Sequence, residues 1–74
     1  MSLTQLELND LHRQFKTVEK QLIDKTFEMY QHPEEEGKEA IRVEMLELAE
    51  QRDSLKEQYV AGGGDAGQLE VDVP

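Results

Sequence analysis

The chain contains no cysteine and no tryptophan among its 74 residues. Without thiols there is no disulfide to staple a small fold and no thiolate to hold a metal. Only two prolines interrupt it, so long helices are permitted over most of its length. No apolar run approaches the roughly 20 residues that span a bilayer. The N-terminal stretch "MSLTQLELNDL" has neither the basic start nor the continuous apolar segment of a secretion signal. These absences point to a small protein of the cytoplasm that does not engage membranes.

Positive charge is also scarce. Eight basic side chains face seventeen acidic ones, for a net charge of −9. Such a surface repels phosphate backbones and anionic lipid, so neither nucleic acid nor membrane is the expected partner. The acidity serves solubility. It also offers a possible ligand surface for a basic protein, along Glu36, Glu39, Glu47, Glu50 and Glu57.

What is present is a helical rhythm. Leu8, Leu11, Phe15, Val18, Leu22 and Met29 recur at alternating steps of three and four, with Lys25 on the one missing beat. This is the seam of a heptad pattern and predicts a helix over about residues 4–31. Thr4 and Glu7 match a capping box, and Leu3 and Leu8 stand at the positions of a hydrophobic staple. A second helix is predicted over about residues 38–60. Its seam is Ile41, Met45, Leu48, Leu55 and Tyr59, with Arg52 on the empty beat. Between them lies "QHPEEEG". There Pro33 either ends helix 1 and opens helix 2, or leaves the glutamates in a turn with Gly37 as the N-cap. Residues 62–74, "GGGDAGQLEVDVP", read as a glycine-rich, flexible acidic tail. The alternation of Leu69, Val71 and Val73 leaves open a return onto the helices.

The fold class is therefore all-α. Residues 1–61 form an antiparallel two-helix hairpin, of the coiled-coil type, and residues 62–74 its tail. Pairing Met29 with Ile41 sets Lys25 opposite Met45, Leu22 opposite Leu48, Val18 opposite Arg52, Phe15 opposite Leu55 and Leu11 opposite Tyr59. In this register Glu44 lies beside Lys25, and Glu19 beside Arg52. These pairs would disfavour other registers more than they would add stability.

Some apolar side chains miss the seam. A helix turns about 100° per residue. Ile23, Phe27 and Tyr30 lie roughly 100° round from the first seam, and Leu46 and Ala49 roughly 100° beyond the second. Helix 2 runs the other way and also faces helix 1, so the two stripes emerge on one side. They form one expected patch near the loop. On the same side toward the chain ends stand His12, Lys16 and Glu19, with His12 read as solvent-facing. A bare hairpin cannot hide the patch, so something should cover it. The candidates are a second copy, giving a homodimeric four-helix bundle, another protein, or the chain's own tail.

No catalytic constellation emerges. Ser2 and Ser54 lack a histidine partner, and no phosphate loop or calcium loop is present. Glu28 and His32 are spaced for a metal contact but lack the Glu-x-x-His pattern of a di-metal bundle. Neither an enzyme nor a cofactor is expected. The expected function is protein–protein interaction, as an adaptor, assembly factor or small chaperone. The alternatives are an acidic mimic of nucleic acid and a self-assembling structural component.

Overall fold

A computed structural model describes residues 2–31 and 34–73. Two long antiparallel helices, α1 (Gln5–Gln31) and α2 (Glu35–Ala61), pack along their length, and a single 3-10 turn, Ala66–Glu70, follows. The fold is all-α, and the expected hairpin is present. Pro33 and His32, on which the helix break and the histidine–glutamate spacing depended, lie outside the described residues.

The start of α1 follows from its first four residues. The backbone N–H of Glu7 donates to Thr4 Oγ1 at 3.2 Å, and that of Thr4 donates to Glu7 Oε1 at 3.3 Å. These reciprocal bonds complete the capping box. Helix α2 begins at Glu35, three residues before the expected 38. Gly37 lies within it instead of capping it. Glu34 is the N-cap but makes no side-chain cap bond, so Glu35 and Glu36 complement the positive end of the helix dipole by charge alone.

The glycines after α2 form a specific stop, not a loose linker. Gly63 has φ +100°, which side-chain-bearing residues rarely adopt. The N–H of Gly64 reaches back to the carbonyl of Tyr59 at 2.9 Å, closing a Schellman-type turn. A β-carbon on Gly64 would run into the Tyr59 ring. The N–H of Leu3 donates to the carbonyl of Gly62 at 3.0 Å, which ties the two ends of the hairpin together.

The turn also corrects the expectation of a flexible tail. Asp65 Oδ1 accepts from the N–H of Gly67 at 2.9 Å and starts the 3-10 turn. Leu69, only 2% exposed, then joins Leu8, Phe15 and Tyr59 in one cluster, with Leu3, Leu11 and Leu55 against it. Burial follows the tail. Among the described residues, Leu8, Phe15, Val18, Ile41, Tyr59 and Leu69 are the buried apolar side chains, and all but Ile41 lie in the half of the hairpin away from the loop. The seam residues Leu22, Met29, Met45 and Leu48 are only half-buried. Two helices alone leave most of the seam half-buried near the loop, and the third element adds cover only toward the chain ends.

The register is the expected one near the loop. Lys25 Nζ pairs with Glu44 across the hairpin and with Glu28 at 3.4 Å. The second expected pair does not form. Glu19 binds Lys16 at 3.6 Å, and Arg52 turns to its neighbour Asp53 at 3.3 Å. A partner on the same helix needs no long side chain to bridge the interhelical gap.

The hydrogen bond that Lys25 donates to Glu44, against an opposing effect of desolvation, raises its pKa above the ordinary lysine range. A raised lysine adds stability that is complete below its unfolded value, near 10.4, and fades as pH climbs through the folded one. Glu44→Gln should therefore lower the thermal midpoint at neutral pH, and only slightly, because an exposed ion pair is worth little. Above about pH 10 it should flatten the alkaline loss of stability relative to wild type. Melting curves across that range check this.

Candidate functional site: an exposed apolar face

Ile23, Phe27, Tyr30 and Leu46 are 57%, 63%, 79% and 66% exposed, and Ala49 is half-buried. The first three stand on one face of α1, and the other two on the neighbouring face of α2. The crossing of Lys25 with Glu44 puts both sets at one level, near the loop. Val43 and Leu6, also exposed, point away from this side and stand alone. Single exposed apolar residues are ordinary, whereas a cluster of large ones is not.

The tail returns to this side of the hairpin but not to the patch. Ala66, Leu69 and Glu70 border a shallow cleft with Phe15, Glu19, Arg52, Asp53 and Lys56, toward the chain ends. The face is thus divided. Its terminal half carries the tail, and its loop half is bare.

His12 is the residue that sequence reasoning placed wrongly. It is 2% exposed, not solvent-facing. Its Nε2 donates to the carbonyl of Val71 at 2.8 Å, and its ring stands edge-on to Tyr59 with centroids 5.9 Å apart. The residues that bury it lie at the far end of the chain, so the local pattern carries no trace of them. The only available signal was the apolar alternation of Leu69, Val71 and Val73.

Charge is segregated between the two sides. By helical phase, Lys16, Lys20, Lys38, Arg42, Arg52 and Lys56 share the side of the patch and tail. Several are matched there by neighbours, as in Lys38 with Glu35 at 3.7 Å and Arg42 with Glu39 at 3.0 Å. With Asp65, Glu70 and Asp72 of the tail, this side is close to neutral. The excess of acid therefore lies on the other side. There an open groove runs between the helices, lined mainly by polar side chains such as Gln14, Gln21, Gln51 and Gln58, with Arg13, Glu47 and Glu50 among them. The acidic stripe Glu36, Glu39, Glu47, Glu50 and Glu57 is exposed throughout.

Among the described residues, no group of three or more histidine, aspartate or glutamate side chains is placed to hold a metal ion. Among the described residues, no helix is long and apolar enough to cross a membrane. Comparison with protein-family models, curated proteins and solved structures finds no match to the chain.

Proposed function

We propose that the protein is a non-catalytic interaction module, an adaptor, assembly factor or small chaperone, whose working surface is the patch of Ile23, Phe27, Tyr30, Leu46 and Ala49. The supporting observation is that four large apolar side chains are more than half exposed together on one side. Fully burying each is worth about 1.5–3 kcal/mol, which corresponds to roughly 100 Å² apiece. That is a substantial driving force in a chain whose own core is small.

We take the first occupant to be a second copy, forming a four-helix bundle by two-fold symmetry. Charge favours this choice. Two molecules of net charge −9 repel each other over most of their surface, but least where each is near neutral, and that is the side of the patch. Area is compatible with it. Two patches meeting would remove roughly 800 Å² through their large side chains alone, and the helical rims would bring the total toward the 1,200 Å² of a stable interface.

Sedimentation or light scattering over a concentration series tests the reading. The expected species has twice the 8.5 kDa chain mass and dissociates on dilution. A well-folded monomer at every concentration would remove the homodimer and leave the patch to a different protein.

A second reading has its own observation, the acidic stripe of α2, which is exposed throughout. In that reading the stripe imitates a phosphate backbone and occupies a basic partner. Binding to such a partner would fall steeply with salt. Binding that is unchanged from low to high salt would exclude it.

A further inference from the structure

The patch belongs to a stripe whose charges complement one another when the helix is reversed. On this side α2 presents, in steps of three and four, Glu35, Lys38 and Arg42 before Leu46, and Ala49, Asp53 and Lys56 after it. Lay this stripe antiparallel on a copy of itself, crossing between Met45 and Leu46. Glu35 then meets Lys56 of the second copy, and Lys38 meets its Asp53. Arg42 meets Ala49, and Leu46 meets Leu46. Two-fold symmetry repeats each contact, so ion pairs flank an apolar centre at both ends.

The charged ends of the stripe are free to take such partners. Among the described residues, Lys56 forms no ion pair. Arg52 holds Asp53 through Oδ1 alone, at 3.3 Å, which leaves Oδ2. Glu35 stands 3.7 Å from Lys38 and 3.8 Å from Arg42, too far for hydrogen bonds. Helix α1 fits the same crossing. The Lys25–Glu44 contact sets the middle of α2 level with Lys25. Ile23 therefore comes opposite Phe27 of the second copy. Lys20, which is exposed, comes opposite its Tyr30, an ammonium beside an aromatic ring.

We propose that the patch joins two copies in one direction only: antiparallel, α1 on α1 and α2 on α2, overlapping through their loop halves. This deepens the homodimer reading and rests on it. The tail favours the same direction. Ala66, Leu69 and Glu70 lie on the patch side of the terminal half, where they border the cleft with Phe15, Glu19 and Lys56. A parallel pair would stack tail on tail and hold the two patches apart. The antiparallel pair sets each tail beside the other copy's loop.

The chain has no cysteine, so a single introduced cysteine carries a spin label without background. Val43→Cys and Glu57→Cys place labels at exposed positions of α2 outside the patch. Pulsed electron spin resonance then reads the distance between the two labels of a dimer. Position 43 lies about two to three residues from the crossing point and position 57 about eleven to twelve, each residue adding 1.5 Å in each copy. The Glu57→Cys labels should therefore stand roughly 15–20 Å further apart than the Val43→Cys labels. A parallel pair carries no shift along the helices and gives both sites similar separations. Similar separations would overturn the proposal and keep the dimer. Uncoupled labels, with the scattering mass of one chain, would overturn the homodimer reading and this inference with it. Charge supplies a second readout. Lys56→Glu should weaken association about ten-fold, since it turns two attractive contacts repulsive. Adding Glu35→Lys should restore most of the loss, with helix content checked in both variants. A double variant that associates no better than Lys56→Glu alone would show that α2 does not pair with α2 in this register. The label distances decide alone if a charge variant loses its helices.

Discussion

Tyr59→Ala is expected to leave the chain largely unfolded at room temperature when dilute. Tyr59 is 5% exposed and stands where every element meets. Its ring is edge-on to His12, its carbonyl accepts the N–H of Gly64, and its side chain clusters with Leu8, Phe15 and Leu69. Truncating a large buried aromatic costs about 3–5 kcal/mol. A core from a chain of this size supplies about that much in total. The loss would also unseat the tail, because Leu69 and His12 both rest against the ring. Far-UV circular dichroism with thermal melting reads the outcome. A cooperative transition within a few degrees of wild type would show that the terminal cluster does not carry the stability. The measurement should be run at two concentrations, since an associating chain gains stability by mass action.

Phe27→Glu should act in the opposite way, abolishing association and sparing the helices. Phe27 is 63% exposed, so glutamate there stays in water in the single chain, and folding should change by a few tenths of a kcal/mol. In the proposed two-fold dimer the interface buries two copies of the substituted residue, one from each chain. Each copy loses about 2 kcal/mol of apolar burial and brings a charge into a desolvated contact. Association should weaken by well over a hundred-fold, beyond the micromolar range. Light scattering on the variant should give the mass of one chain, with a helical spectrum matching wild type. Association that survives the substitution would place the contact elsewhere on the molecule.

The hairpin itself was legible because its determinants are local or periodic. The alternating steps from Leu8 to Met29 and from Ile41 to Tyr59 define two seams, Thr4 with Glu7 marks the start, and the register brings Lys25 to Glu44. The off-seam stripe of Ile23, Phe27 and Tyr30 was equally visible, because a helix's phase is arithmetic. The tail was not. A run of glycines has the same composition whether it is a loose tether or a Schellman stop, and only the return of Gly64 to Tyr59 separates the two. The same gap hid His12. It shares a stripe with Lys16 and Glu19, and local context reads it as polar surface. Its burial is supplied by Leu69 and Val71, at the other end of the sequence. The Glu19–Arg52 pair failed for a simpler reason. Both residues had an opposite charge one turn away or nearer, and the register had no means of excluding those competitors.

The uneven burial of the hairpin has a consequence for the order in which it opens. Most hairpins fray from their free ends, but here Leu3 is tied to Gly62 and the third element is packed over that end. Amide protons should therefore exchange first around Phe27 and Leu46 and last around Leu8 and Tyr59. The segment that softens first is the one that presents the patch. In the proposed complex, the contact would fall on the part of the hairpin that opens most readily.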